Sequence, residues 1–227
     1  YIPQLNRHRR IWLYLPPDYA TTTKSYPVLY MQDAQNLFDV QTSFSGEWEV
    51  DESLNQLHQQ GDYGCIVVGI DNGEGERLNE YSPWVNAEYG GGQGDEYVDF
   101  LVNTLKPYVD ANYRTLPGRL TTGIMGSSMG GLISMYGFSE RQDIFSKAGI
   151  FFAGILVCRQ QPGQPRGGTS QTGRSTRIFP GRWRRTGLCD TGYSTGSQCH
   201  DDCRIYVGGK THQIAVRRRA FRMVLGT

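Results

Sequence analysis

Residues 120–132 read LTTGIMGSSMGGL, and the rest of the chain is organised around this stretch. The apolar run Leu120–Met125 is typical of a buried strand, and the run Gly131–Phe138 is typical of a helix. Between them, residues 126–130 follow the pattern Gly-x-Ser-x-Gly, with Ser128 at the centre. In this context the pattern predicts a sharp strand-to-helix turn that pushes the Ser128 hydroxyl outward as a candidate nucleophile.

The position of this serine also favours a chemical role. Its hydroxyl would lie above a helix N-terminus, where the positive end of the helix dipole and free backbone N–H groups gather. Such groups stabilise the oxyanion that forms when a nucleophile attacks a carbonyl carbon. The alternative is a serine that only fills a glycine-rich turn, and the strand before the motif and the helix after it argue against that alternative.

Strand-like and helix-like runs alternate along the chain. This order predicts an α/β fold, with a mostly parallel central sheet covered by helices on both faces. A bend or local loosening is expected at Pro107, inside the second helix. The predicted strands are Arg9–Leu15, Tyr26–Asp33, Cys65–Ile70, Leu120–Met125 and Lys147–Phe152, and the predicted helices are Glu47–Gln59 and Asp95–Tyr113.

Polar residues follow three of these strands directly. They are residues 33–35, residues 71–72 and Ser128. Ligands of parallel sheets bind beyond the carboxyl ends of the strands, so these residues are expected to converge on one site.

Size and charge restrict the class of protein. A chain of 227 residues suits one domain, here 1–227, and its net charge of +1 gives no argument for a nucleic-acid partner. No apolar stretch reaches the ~20 residues of a membrane span. No signal peptide is visible, which favours a cytoplasmic location, although a trimmed chain would look the same. The oligomeric state is left open.

Five cysteines are present, and three of them lie close together near His200. The spacing of Cys199, His200 and Cys203 matches zinc sites poorly, because structural sites usually pair their ligands as Cys-x-x-Cys units. A disulfide is left open, and no metal or other cofactor is expected.

The chain resembles the α/β-hydrolase superfamily, and within it the putative-esterase branch near enterochelin esterase, S-formylglutathione hydrolase, feruloyl esterase and the antigen 85 proteins. The resemblance rests on YPVLYMQDAQNLFD at 26–39, IVVGI at 66–70, Arg77 with Glu80-Tyr81, and the serine motif. It implies a small-molecule ester as substrate, without a cofactor. It also implies that the backbone N–H groups of Gln35 and Met129 form the oxyanion hole, which agrees with their positions after two central strands.

Further residues are expected to border the acyl or alcohol pocket. They are Arg77, Glu80, Tyr81, Trp84 and the loop Gly90–Gly94. A structural ion pair between Arg77 and Glu80 is an equally good interpretation of those two residues.

A serine needs a base, which in this fold follows the nucleophile in the chain. His212 follows a strand-like run and a Gly-Gly-Lys loop and precedes a helix-like tail from Ala215, as in the branch resembled, so it is the predicted base. His200 lies in a polar stretch and is interpreted as a surface residue, and His8 and His58 precede the nucleophile. Asp190 is the predicted acid, with Asp201 and Asp202 as alternatives.

The segment from about 156 to 203 lacks any packing pattern, which is unusual inside a compact domain. Two hypotheses remain open: a reading-frame error beginning near Pro180, or an irregular basic insertion. Sequencing the coding DNA distinguishes them.

These observations predict a serine-dependent carboxylic-ester hydrolase that acts through an acyl-enzyme on Ser128. Two alternatives are an acyltransferase of the same fold and a non-catalytic protein that only binds a ligand or partner. Acceptor-dependent products would indicate the first alternative, and absence of labelling by a fluorophosphonate would indicate the second.

Overall fold

The computed structural model describes residues 1–44 and 46–151 with their side chains, and residues 202–207 and 210–215 as backbone strands. In chain order the strands and α-helices are β1 (Ile11–Tyr14), β2 (Val28–Gln32), α1 (Val50–Gln59), β3 (Ile66–Ile70), α2 (Arg77–Glu80), β4 (Val85–Asn86), β5 (Gly90–Gly91), α3 (Gly94–Phe100), α4 (Lys106–Asn112), β6 (Thr122–Ser127), α5 (Met129–Glu140), β7 (Lys147–Phe151), β8 (Asp202–Val207) and β9 (Lys210–Ala215).

Five strands form the central sheet in the order β1-β3-β2-β6-β7. The pairs β3–β2, β2–β6 and β6–β7 are parallel, and only the edge strand β1 runs antiparallel to its neighbour. The prediction of an α/β fold with a mostly parallel sheet is therefore confirmed.

The register aligns the carboxyl ends of the parallel strands. Gln32 pairs with Ile70, Met31 pairs with Met125, and Ser127 pairs with Phe151. The residues that follow β2, β3 and β6 consequently emerge at one edge of the sheet, as the sequence predicted.

Alternating side chains of the strands enter two separate cores. Tyr30 and Ile124 pack with residues of α3, α4 and α5, whereas Met31 and Met125 pack with Leu54 of α1. Helices therefore cover both faces, as the alternation of strand-like and helix-like runs predicted. None of the helices in the described part of the chain is both long enough and apolar enough to cross a membrane.

The helix predicted over Asp95–Tyr113 begins at Gly94 and ends at Asn112, and it is not regular throughout. Its middle, Leu101–Leu105, is π-helical and joins α3 to α4. Pro107 lies two residues after the end of this segment, and because proline has no N–H it cannot donate to the carbonyl of Asn103. The wider turns before the proline accommodate this loss, so the expected loosening is confirmed.

Strand β6 begins later than predicted. Residues Arg119–Thr121 form a 3-10 turn, closed by a hydrogen bond from Thr121 N to Gly118 O of 3.1 Å. The strand therefore begins at Thr122 and continues to Ser127, one residue before the serine of the motif.

Strands β8 and β9 form a separate antiparallel pair in which Ile205 lies opposite His212. The sequence predicted a loop up to Thr211, but Lys210–Ala215 is a strand; the helix predicted over Ala215–Leu225 lies outside the described residues except for Ala215, which is in this strand. A strand turning back after Gly208 and Gly209 satisfies the backbone groups of β8, which a loop would leave unpaired.

Candidate active site

Ser128 occupies a sharp turn between β6 and α5. Its dihedral angles are φ 54° and ψ −123°, a conformation that residues with a side chain rarely adopt, and its side chain is exposed. Two backbone hydrogen bonds hold it: Ser128 N donates to Phe151 O at 2.9 Å, and Leu132 N donates to Ser128 O at 3.0 Å. The turn predicted from the motif is therefore present, with the serine fixed to the neighbouring strand and to the helix.

Close packing explains the glycines on either side of the serine. A Cβ atom added to Gly126 would lie 2.4 Å from Gly130 O, and one added to Gly131 would lie 3.0 Å from Phe151 O. Both obstacles are backbone atoms, which cannot rotate away. Side chains are thus excluded where β6, α5 and β7 meet.

Backbone N–H groups are available at both expected positions. Met129 is the first residue of α5, and Gln35 lies in the 3-10 helix Ala34–Asn36 that follows β2. The first N–H groups of a helix have no acceptor within that helix. Both residues lie at the edge of the sheet where Ser128 emerges, and their role as an oxyanion hole stays a prediction.

A buried carboxylate lies beneath the Gln35 turn. Asp33, only 3 % exposed, has left-handed backbone geometry with φ 59°. Arg77 donates to it through Nε at 2.7 Å and Nη2 at 2.9 Å, and Asn72 Nδ2 donates to Asp33 Oδ1 at 2.8 Å. Such a two-pronged pair fixes orientation as well as charge.

Two buried tyrosines hold the same turn. The backbone N–H of Asp33 donates to Tyr81 Oη at 3.3 Å, and the Tyr97 hydroxyl donates to Gln32 Oε1. Burial raises the pKa of Tyr81 and that of Tyr97 above the ordinary value of a phenol, so both remain neutral phenols. Arg77 lies over the Tyr81 ring, with its Cζ 5.1 Å from the ring centroid.

The predicted ion pair between Arg77 and Glu80 is wrong. Glu80 is fully buried and pairs with Arg9, whose Nη2 and Nη1 donate to its two oxygens at 2.6 and 2.8 Å, and with Arg7 at 2.8 Å. Arg77 is directed to Asp33 instead. Sequence reasoning did not assign Arg9 a partner, since the two partners are 71 positions apart.

The remaining residues expected at the pocket have structural partners. Trp84 stacks edge-on against Tyr136, with ring centroids 6.0 Å apart. Gly90 and Gly91 form β5, Gly92 follows it, and all three have positive φ, so glycine is required there for backbone conformation. Tyr81 is fully buried and can act only through the turn it supports.

The predicted base and acid are not tested by the described side chains. His212 lies in β9, of which only the backbone is described, and Asp202 lies in β8. Asp190, His200 and Asp201 lie outside the described residues, as do Cys158, Cys189 and Cys199.

The two histidines before the nucleophile have structural surroundings. His8 packs edge-on against Tyr1, with ring centroids 5.3 Å apart. His58 lies in the last turn of α1, which leads to the start of β3 and hence to the edge opposite Ser128. Neither of them is therefore a candidate base.

Three carboxylates cluster near the start of α1. Carboxylate oxygens of Glu47, Asp51 and Glu52 lie within 4.8 Å of one another at the start of α1. Burial and the nearby Glu52 raise the pKa of Asp51 to about 6. Acidic residues are common in the first turn of a helix because of its dipole, and that accounts for this cluster without a metal ion.

A pocket between α1 and the sheet is lined mainly by apolar side chains, among them Leu29, Met31, Leu54 and Met125. It lies within the second core and offers too few polar groups to orient an ester. The candidate active site is therefore the edge of the sheet around Ser128.

Comparisons with known proteins point to an esterase family. A family profile described as "Putative esterase" matches residues 2–202. An uncharacterized protein of Bacillus subtilis (strain 168), YbbA, is 34% identical over 148 residues, which cover 63% of this chain and 55% of that protein.

Two solved structures are similar to this chain. An IroE-like serine hydrolase from Shewanella oneidensis is 26% identical, with a TM-score of 0.53, over 64% of this chain and 46% of that one. The BES protein from Bacillus cereus is 20% identical, with a TM-score of 0.56, over 69% of this chain and 60% of that one, which shows a shared fold. The chain thus spans about half the length of the relatives it matches.

Proposed function

Because the chain belongs to the family described as "Putative esterase", in the esterase branch of the α/β-hydrolase superfamily, we propose that it hydrolyses carboxylic esters through an acyl-enzyme on Ser128. The observation that carries the proposal is the conformation of Ser128. The backbone of Ser128 is strained, with φ 54° and ψ −123°, and its hydroxyl is exposed. Backbone strain of this kind costs free energy and is typical of residues with a catalytic role.

In the proposed reaction, His212 accepts the proton of the Ser128 hydroxyl as the serine oxygen attacks the ester carbonyl carbon. The N–H groups of Met129 and Gln35 donate to the oxyanion of the tetrahedral intermediate. His212 then returns the proton to the leaving alcohol. Water, deprotonated by the same histidine, attacks the acyl-enzyme and releases the acid.

The proposed acid, Asp190, would orient His212 and stabilise its protonated form. This part of the triad contributes less than the nucleophile and base do. Replacing the equivalent aspartate in a serine protease lowers kcat by roughly 10⁴-fold, and the oxyanion hole preserves part of the catalysis.

The first test replaces the nucleophile. Ser128→Ala removes the attacking oxygen, so we expect hydrolysis of p-nitrophenyl acetate to fall by about 10⁴-fold or more and labelling by a fluorophosphonate to disappear. Ser139→Ala serves as the matched control, because Ser139 is an exposed residue of the same helix whose hydroxyl donates only to Met135 O. Undiminished turnover in Ser128→Ala would refute the proposal.

The base is tested in the same assays. His212→Ala should lose fluorophosphonate labelling together with turnover, whereas His58→Ala, which alters the opposite edge of the sheet, should keep both. Product analysis with added alcohols and thiols then separates hydrolysis from acyl transfer. Labelling of His212→Ala at the unaltered rate would remove His212 from the mechanism.

A further inference from the structure

The turn that carries Gln35 is clamped by one distant segment. Residues Gln32–Gln35, called here the β2 turn, receive hydrogen bonds from residues between Asn72 and Tyr97. Tyr97 binds the side chain of Gln32, and the backbone N–H of Asn72 donates to Gln35 Oε1 at 3.3 Å. Each end of the β2 turn is thus held by the chain that follows β3.

The centre of the β2 turn is held most tightly. The carboxylate of Asp33 accepts two hydrogen bonds from Arg77 and one from Asn72, all between 2.7 and 2.9 Å. Its left-handed φ of 59° is less favourable than right-handed geometry for a residue with a side chain, and these contacts stabilise it. That conformation sets the direction of the N–H groups that follow.

The same carboxylate touches the second half of the proposed oxyanion hole. A Cβ atom on Gly130 would lie 2.8 Å from Asp33 Oδ2 and 3.0 Å from Gln32 Cβ. The first turn of α5, which begins with Met129, therefore packs directly on Asp33. One buried side chain connects the turn carrying Gln35 to the helix carrying Met129.

Charge at this position has a second consequence. An uncompensated carboxylate beside the oxyanion hole would repel the negative charge that develops on the substrate oxygen, and in a buried site this repulsion is weakly screened. The forked contact with Arg77 neutralises Asp33 while keeping its geometry. Arg77 is itself enclosed by Tyr81, and its side chain is only 26% exposed.

We propose that Asp33 and Arg77 are a positioning pair: Asp33 aligns the Gln35 and Met129 N–H groups, and Arg77 cancels a charge that would oppose the oxyanion. This inference rests on the proposed ester hydrolysis. The hydrogen bonds of Asp33 run to Arg77, Asn72 and Tyr81 rather than to Ser128, so we expect the pair to affect kcat rather than substrate binding.

Arg77→Gln tests the proposal. It should lower kcat for p-nitrophenyl acetate about 100-fold, comparable to the loss of one oxyanion-hole donor, with KM changed less than threefold. The double variant Asp33→Asn/Arg77→Gln should recover about tenfold relative to Arg77→Gln, because the repelling charge is gone. Rates are expressed per active site, counted by the stoichiometry of fluorophosphonate labelling, so that a loss of folded protein does not lower them.

Arg7→Gln is the matched control. Arg7 also pairs with a buried carboxylate, but that carboxylate is Glu80, which keeps Arg9 as a partner and makes no contact with the β2 turn. We expect kcat per site within threefold of the parent. If Arg77→Gln does not fold, Arg77→Lys and Arg7→Lys are compared in the same way, because lysine keeps the charge and loses the fork.

A transition-state readout separates positioning from simple stability. Affinity for a boronic acid, which forms a tetrahedral adduct on the serine, should fall in proportion to kcat in the Arg77 variants. Unchanged kcat per site in Arg77→Gln, or a double variant no faster than the single one, would overturn the proposal while leaving Ser128 chemistry intact. A parent protein that neither labels nor hydrolyses would instead overturn the proposed function and this inference with it.

Discussion

At the scale of single residues, the serine turn shows how backbone crowding selects an amino acid. Ser128 keeps a strained conformation, and such strain costs about 1–3 kcal/mol. Gly126 is required because a Cβ atom there would meet the backbone of Gly130, which cannot move without unwinding α5. The backbone of Ser128 is strained, whereas Gly126 is required because a larger residue would clash with Gly130.

Substitution of two glycines in this region should give opposite results. Gly126→Ala places its Cβ 2.4 Å from Gly130 O, so we expect a loss of about 3 kcal/mol in the free energy of unfolding and at least a tenfold loss of activity. Gly137→Ala lies later in α5, where a Cβ would be 3.4 Å from Ile124 and Val98 side chains. Alanine is the better helix former, so stability should be unchanged or raised by up to about 1 kcal/mol.

Urea denaturation of both glycine variants, with p-nitrophenyl acetate turnover alongside, measures these effects. Equal stability of Gly126→Ala and the parent would show that β6 and α5 can separate at this point. That result would contradict a turn closed by contact between the backbones of Gly126 and Gly130.

At the scale of elements, Glu80 joins α2 to the chain before β1. Its buried carboxylate accepts hydrogen bonds from Arg7 and Arg9, and Arg9 Nη1 also donates to Asp71 O at 3.0 Å. The Glu80 carboxylate in α2 and its arginine partners therefore join three segments: α2, the chain before β1 and the chain after β3. A charge buried this deeply is stable only while its partners are present.

Glu80→Gln should consequently destabilise the protein. The variant leaves two arginines partly buried without their carboxylate, and we expect the free energy of unfolding to fall by about 3 kcal/mol. Glu76→Gln is the control, because Glu76 is exposed and lies 3.4 Å from Arg7 at the protein surface, where ion pairs contribute little. Thermal and urea unfolding report both variants, and equal effects would show that the Glu80 cluster is no stronger than a surface pair.

The elements also show what sequence can and cannot predict. Strands β2, β3 and β6 were predicted because burial on both faces of a parallel sheet requires continuous apolar runs. The serine turn was predicted because its glycines are local in sequence. The partner of Arg77 was mistaken because Asp33 lies 44 positions away, whereas Glu80 is three residues along the same helix.

Strands β8 and β9 show a different limit of prediction from sequence. The glycines at 208–209 indicated a turn, but nothing local distinguished a loop or helix after Lys210 from a returning strand. Pairing of β9 with β8 supplies hydrogen bonds that periodicity does not reveal. The roles of His212 and Asp190 stay predictions.

At the scale of the whole molecule, the core contains several acids that resist ionisation. Burial raises the pKa of Cys65 to about 12, and it raises the pKa values of Tyr14, Tyr30, Tyr81 and Tyr97 above the ordinary 10.0 of a phenol. Their side chains lie in both cores, so their ionisation at alkaline pH would destabilise the packing on both faces of the sheet.

These shifts predict alkaline sensitivity. Above about pH 10 the unfolded chain loses phenolic protons that the folded chain retains, so the unfolded state binds fewer protons and stability falls as pH rises. We expect a nearly constant free energy of unfolding from about pH 7 to 9 and a steep decline above it, measured by urea denaturation.

Tyr30→Phe provides the matched variant. The Tyr30 hydroxyl is buried without a hydrogen-bond partner among the described residues, so its removal costs little. Its loss should reduce the alkaline slope by about 1.4 kcal/mol per pH unit, the contribution of one proton. An unchanged slope would mean that Tyr30 ionises freely in the folded protein.

The bond from the Ser128 amide to Phe151 has a consequence for synthesis on the ribosome. The serine is made before the strand whose last carbonyl fixes it, and proteins are made from the N-terminus. A nascent chain that has emerged only as far as α5 thus contains every residue of the turn but lacks its anchor. The Ser128 turn is therefore expected to reach its final conformation only after β7 has emerged and joined the sheet.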